Sequence, residues 1–429
     1  MRILLRKILI APFALLTLLW CAVVPKRRQE LIWGPVPIVN NKYWSAAMRK
    51  MGYRSKTLMA DRSTINKRED FDLYFGDVTP RFLWPKKLRE LLAPYFALIH
   101  VIRNASVVHF PFTGGPFGNT SLWKIEAYLL RRARIRTIIL PFGGDAYIYS
   151  QIMDPSLRNG LLTNYPQLAR QELRVKRHVE YWTRHADVLL SGFLVDGMAR
   201  WDCPIHNFIC IDTNQWQAKS HYSTHDGTNG PVIVMHAPNH RGFKGTEFLI
   251  HAVKELQSDG LRIELVLLEG VPNDKVRESM QEVDILADQF IVTAYGLGAI
   301  EGMASGLPVM ANLENEVYTR VFRRYSFLNE CPILSASPEN LRDNLRALVV
   351  NPELRRQLSQ AGRAYVEKYH SYETAQYLFG SIYNKILHGK EIDLINLFHP
   401  LTSEYCRRRP LIQHPLIESQ LPKENQAKC

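Results

Sequence analysis

The sequence predicts two α/β domains in tandem, each a parallel sheet covered by helices, preceded by a short apolar segment. Three observations predict it. The chain has 429 residues, more than one domain normally holds. Strand-like runs alternate with helix-like ones twice over, the pattern of a parallel sheet with helices on its faces. Between the two series lies a polar stretch, 213–230, poor in aliphatic residues and rich in turn formers.

In the first series, ELIWGPVPIVNN (30–41) reads as a buried strand running into a turn. YWSAAMRKMGY (43–53) has helical spacing, with Gly52 placed as a C-cap, and RSKTLMA (54–60) is a second strand. SVVHF (106–110) is strand-like, GGPFGN (114–119) a turn, SLWKIEAYLLRRA (121–133) helical, and RTIILPFGGD (136–145) a strand entering a glycine-rich loop. ADVLLSG (186–192) and NFICI (207–211) read as the closing strands of this half. The second series runs through strands at 231–238, 263–270, 290–294 and 307–311, with helices over 246–258, near 273–282 and around 299–306.

The expected organisation is therefore a segment over 1–28, a domain over 29–212, a linker over 213–230, a domain over 231–370, a helix over 371–390 and a loosely packed tail over 391–429. Residues 1–212 carry 31 Lys and Arg against 16 Asp and Glu, whereas 213–429 carry 23 against 25. All the excess positive charge thus sits in the first half, which points to a polyanionic surface. No zinc-finger spacing or RNA-recognition signature accompanies it, so an anionic membrane is expected rather than nucleic acid. The six cysteines form no C-x-x-C pair, which fits neither a zinc site nor a disulfide framework.

Ile8–Val24 is an uncharged run of 17 residues flanked by basic residues on both sides. That length is at the lower limit for a spanning helix, and the run is expected to anchor the chain, crossing the bilayer or lying in one leaflet. Two other stretches mix aromatic or aliphatic residues with basic ones, RFLWPKKLRELLAPYFALIHVI (81–102) and LLRRARIR (129–136), as interfacial helices do.

The segment TAYGLGAIEGMASGLPVMAN (293–312) carries most of the chemistry. A strand ends, Gly296 and Gly298 follow, and a helix opens. Its first N–H groups and its dipole suit a phosphate. Glu301 lies about one turn inside, where a carboxylate can accept hydrogen bonds from vicinal ribose hydroxyls. Gly306 is placed as the C-cap and Pro308 turns the chain. In FGGDAY (142–147), Gly144 and Asp145 stand at a strand end, where the Asp can cap the next helix.

Glu301-Gly-Met-Ala-Ser-Gly-Leu-Pro-Val309 resembles the E-x-M-A-x-G-x-P-V signature of family-4 retaining glycosyltransferases. HAPNHRGFKGTEFLIHAVKEL (236–256) is similar to the first strand, loop and helix of their C-terminal domain. The resemblance implies the GT-B fold, two Rossmann-like domains facing each other across a cleft. It implies Lys244 on the donor diphosphate and Glu301 on the ribose, with Arg241 as a second cation at an unusual spacing. Such a pair of cations offsets a diphosphate's charge, so the resemblance implies neither metal nor cofactor. Where the family often has a second Glu, this chain has Thr293; of the family's H-x-H pair only His109 is present, followed by Phe and Pro.

The expectation is a membrane-associated enzyme with its catalytic domains on the cytoplasmic side of the inner or plasma membrane. It would move a sugar from a nucleotide sugar to a glycan or lipid-linked acceptor, with retention implied by the resemblance. Lys244, Arg241 and His109 would carry the catalysis. Glu301, Gly296, Gly298, Thr293 and Lys244 would hold the donor, and Asp145 and Gly144 would face the acceptor or sugar. A silent GT-B binding protein and a nucleotide-sugar epimerase are the alternatives, the first motivated by Thr293 and Pro111.

Overall fold

The computed structural model describes residues 15–21, 23, 29–62, 66–80, 86–193 and 196–417. The first sheet comprises β1 (Glu30–Trp33), β2 (Arg54–Met59), β3 (Leu73–Tyr74), β4 (Ala105–Phe110), β5 (Arg136–Ile139) and β6 (Val188–Leu189), in the order β3-β2-β1-β4-β5-β6. Every pairing is parallel. This is the Rossmann order, and the strand order reverses between β1 and β4. Val107, Val108, His109 and Phe110 are all buried, as befits a strand covered on both faces.

The second sheet comprises β7 (Val232–His236), β8 (Ile263–Leu267), β9 (Ile285–Gln289), β10 (Val309–Ala311) and β11 (Leu334–Ser335), in the order β11-β10-β9-β7-β8 and again parallel. Its reversal lies between β7 and β9, and ligands of open α/β sheets bind beyond the carboxyl ends at such points.

Two expected strands are absent. The segment 290–294 is a series of bends, because β9 is the preceding ILADQ. The β-branched run FIVTA drew the assignment away from a strand that ends in two polar residues. NFICI (207–211) forms only one bridge, Ile211 to Ser371; Asn207 Nδ2 donates to the Tyr295 carbonyl at 2.7 Å, and the segment packs as a connector.

The polar stretch 213–230 lies against the second domain. Lys219 N donates to the Ser305 carbonyl, and Arg355 to those of Ser223 and His225. The helix Tyr372–His388 returns to the first domain, where Gln376 Nε2 donates to the Ala47 carbonyl at 2.9 Å and Phe379 meets Trp33 edge-on at 4.9 Å. One apolar cluster therefore runs from Trp33 and Trp44 to Leu378 and Tyr383.

The tail departs from the loose packing expected of it. It is anchored through Leu394, Leu397, Phe398, Tyr405 and Cys406, which are buried, while Ile395, Leu416 and Ile417 stay exposed. Lys368 Nζ, 2.8 Å from Glu330 Oε2, also donates to the Pro410 carbonyl, and the same Glu330 oxygen accepts from Ile412 N.

Most of Ile8–Val24 lies outside the described residues. Residues 15–21 are helical, with Leu18 and Cys21 in the core of the first domain and Leu16 and Trp20 exposed. Among the described residues no helix is long and apolar enough to cross a membrane. Trp84 also lies outside them. The helix Lys86–Asn104 turns Leu92, Tyr95, Leu98 and Val101 inward, so that face belongs to the core rather than to an interface.

Candidate active site

At the reversal of the second sheet, β7 leads through the short helix Arg241–Lys244 and β9 ends at Asp288–Gln289. Lys244 Nζ lies 2.6 Å from Asp288 Oδ1 and 3.0 Å from Gln289 Oε1, and both charged side chains are largely buried. The helix Leu297–Ala304 begins beside this pair. A methyl placed on Gly298 would stand 3.3 Å from Asp288 Oδ1, and one on Gly296 would meet nothing within 4 Å. No side chain caps the helix. An approaching anion would thus meet Lys244 and uncapped N–H groups together.

Glu301 is 4% exposed, and its Oε1 accepts from Asn273 Nδ2 at 3.4 Å. Burial pushes its carboxyl up to about 8; the Asn273 contact opposes the shift and the Asp288 charge adds to it. The phenol of Tyr43, from the first domain, is held well above its ordinary range by burial and by the Glu301 charge. Lys244 and Gly298 are therefore gathered at Asp288, with the Glu301 carboxyl within electrostatic reach of it.

Arg241 is placed differently. Its guanidinium meets two surface carboxylates, Glu247 at 2.7 Å and Glu269 at 3.1 Å. Thr293 Oγ1 donates to Asn312 Oδ1 at 3.3 Å, and Asn312 in turn donates to the Phe290 carbonyl, so Thr293 fixes the bends after β9.

His109 is 1% exposed and stacks on Trp33 at 3.5 Å. Its Nδ1 faces the Ile32 carbonyl at 3.2 Å, so Nδ1 carries the proton and Nε2 accepts from Tyr383 Oη at 2.8 Å. Burial pulls the imidazole down to about 3. The ring is neutral, has both nitrogens engaged and fastens the returning helix to β4.

Asp145 is also engaged by backbone. Oδ2 accepts from Phe112 N at 2.9 Å, and Oδ1 from Phe142 N and Gly143 N at 3.0 Å, which ties together the loops after β4 and β5. Burial raises its carboxyl to about 6 against these bonds. Glu126 does the same for the glycine-rich loop, accepting from Gly115 N and Phe117 N at 2.9 Å; burial pushes it to about 7.

Gly144 and Asp145 border a cavity of about 580 Å³ beyond the ends of β4 and β5. Phe243, immediately before Lys244, closes it from the second domain. Among the described residues no group of three or more His, Cys, Asp or Glu is placed to hold a metal ion.

Sequence reasoning missed Asp288, Gln289, Asn273 and Glu126. Only the first two left a signal: a polar pair ending an apolar strand, ILADQ, where a doubly wound sheet binds its ligands.

No family model matches the chain, and no curated protein matches it. Solved structures do. A sucrose-phosphate synthase from Thermosynechococcus elongatus superposes with a TM-score of 0.51 at 14% identity, covering 85% of this chain and 100% of that one. HepE of Anabaena, solved with UDP, gives 0.50 at 13% identity, covering 82% and 99%. A TarM variant from S. aureus, solved with fondaparinux, α-GlcNAc-glycerol and UDP, gives 0.51 at 9% identity, covering 81% and 98%. The chain has the GT-B fold. At these identities the likeness concerns architecture, two facing parallel-sheet domains and the cleft between them.

Proposed function

We propose that this GT-B chain is a glycosyltransferase that takes a nucleotide sugar as donor. The observation that carries the reading is the gathering of Lys244 and the uncapped helix start at Gly296–Gly298 at Asp288, with the buried Glu301 within electrostatic reach, at the strand-order reversal of the second sheet. A nucleoside diphosphate needs this set: a cation and N–H groups for the phosphates, and a carboxylate for the ribose hydroxyls. HepE and TarM, with the same architecture, were solved with UDP.

Lys244 is held by Asp288 and Gln289 before any donor arrives, so its position is fixed in advance. When the glycosyl–phosphate bond breaks, its electron pair leaves with the diphosphate. Lys244 and the helix dipole stabilise that charge where it develops. An acceptor hydroxyl bonds to the anomeric carbon, and its proton passes to the oxygen of the departing diphosphate. Retention of configuration is part of the proposal through the sequence signature, as is a glycan or lipid-linked acceptor.

Membrane association belongs to the same reading. Leu16, Trp20 and Val23 are 57–67% exposed, while Leu18 and Cys21 pack inward, in the half of the chain that carries the excess of basic residues. A helix that docks one face on its own domain and offers the other to lipid lies on a membrane rather than through it. The proposal places both domains on the cytoplasmic side.

Thermal shift against a panel of nucleotide sugars tests the donor site. Stabilisation by one donor, abolished by Glu301→Ala and by Lys244→Ala, supports the reading. A folded protein that no donor stabilises sinks it and leaves a binding-only GT-B protein, which the pairing of Lys244 with Asp288 would then explain.

A further inference from the structure

The cavity beyond β4 and β5 is built for a ligand of its own. Its volume, about 580 Å³, falls inside the usual ~300–1,000 Å³ of small-molecule sites. Five Phe and Tyr side chains line it: Phe142, Tyr147, Tyr165 and Phe193 from the first domain and Phe243 from the second. Phe142 is left 38% exposed. Such faces pack against the C–H faces of sugar rings. Phe243 directly precedes Lys244, so one wall of the cavity lies on the segment that carries the donor cluster.

The polar lining includes Asn119, Gln171, Arg174 and His178. Arg174 and His178 stand four residues apart on the helix Glu172–His185, hence on one face. Arg174 Nη2 donates to Asn119 Oδ1 at 2.7 Å, a neutral acceptor, and among the described residues it has no carboxylate partner. The carboxylate that borders the cavity, Asp145, is already engaged by three backbone N–H groups. Both oxygens of Asp145 are thus occupied, and Arg174 is the charged side chain of the lining that no carboxylate pairs.

His178 is an independent sign of a ligand. It is 4% exposed and stacked on Trp123 at 4.1 Å, and its Nδ1 has no hydrogen-bond partner among the described residues. Burial lowers its pKa, so the ring is neutral and leaves a nitrogen for a ligand hydroxyl.

We propose that this cavity seats the acceptor, and that the acceptor is a saccharide bearing an anionic group. Its rings lie against Phe142, Tyr165 and Phe243, its anion meets Arg174, and a hydroxyl meets His178. The word acceptor rests on the glycosyl-transfer reading; the binding does not.

The test is calorimetric titration of the full chain with glucose, glucose 6-phosphate and glucuronate, with UDP in excess to keep anions off the donor cluster. Both anionic sugars should bind about tenfold tighter than glucose, the worth of one charge-assisted contact. The tighter of the two identifies the anion as phosphate or carboxylate. Arg174→Gln should erase the preference with the melting temperature unchanged, and Arg174→Lys should restore part of it. Equal binding of all three sugars, binding of none, or a preference that survives Arg174→Gln overturns the proposal. A failed donor screen combined with an intact anion preference would remove the transferase reading and leave this site standing.

Discussion

Glu301→Gln, followed against pH, tests the donor site most directly. The carboxyl is buried, and burial holds it at about 8, so most of it is protonated at neutral pH. A ribose offers two hydroxyl donors, and only the ionised carboxylate accepts both without a proton of its own in the way. Donor affinity should then follow the ionised fraction. Between about pH 6.5 and about pH 8.5 that fraction grows from roughly 3% to roughly 75%, which makes binding about 25-fold tighter, or ~2 kcal/mol.

The assay is calorimetric titration of the best donor at a series of pH values, wild type beside Glu301→Gln. The variant should stay at the weak, low-pH limit throughout. Stability should move the other way. A carboxyl whose folded pKa lies above its ordinary value binds its proton more tightly in the folded state. Its stabilising contribution is complete below about pH 4.5 and is lost as the pH rises towards about 8. Wild type should lose stability over this window relative to Glu301→Gln. Affinity that is flat or falls with pH, or a Gln variant that tracks the wild type, would refute the assignment of Glu301 to the ribose.

Three further outcomes follow from the packing. Glu126→Ala strands the N–H groups of Gly115 and Phe117, and denaturant titration should show a loss of about 2–5 kcal/mol. Lys368→Met leaves Glu330 buried without its cation and should cost about 3–5 kcal/mol in the same assay, with the tail becoming more susceptible to proteolysis. Tyr383→Phe removes the donor to His109 Nε2 and should cost about 1–3 kcal/mol, while the pH profile of turnover keeps its shape because the imidazole is neutral with or without its partner.

The sequence made the architecture legible because buried parallel strands are apolar throughout. SVVHF, RTII and VIVMH stand out from the helices between them, and each forms where its pattern places it. Legibility failed where a strand carried function. ILADQ ends in Asp288 and Gln289, the partners of Lys244, and those polar residues hid the strand behind the more apolar FIVTA. The tail misled for a related reason. Its Pro- and charge-rich composition suggests a solvated segment, but its anchor is a buried ion pair between Glu330 and Lys368, which no local pattern announces. Around the site, a place one turn inside a helix brought Glu301 into view, and Lys244 came through the family resemblance of 236–256. Arg241 and His109 each have a partner from far along the chain, Glu269 and Tyr383, about which one-dimensional spacing carries no information.

A division of labour follows for the ionisable groups of the first domain. Asp145, Glu126 and His109 cluster at the ends of β4 and β5, where a doubly wound domain presents its ligand, yet each is bound to protein groups. Asp145 takes three N–H groups, Glu126 two, and His109 a carbonyl and a phenol. These groups set the shape of the loops. Contact with a ligand falls to the aromatic wall and to the face of the helix Glu172–His185 that carries Arg174 and His178. The two sets should therefore fail differently when substituted. Loss of a loop-fixing group lowers the melting temperature and disturbs every ligand at once, whereas loss of Arg174 changes which ligand is preferred in a protein that melts as before.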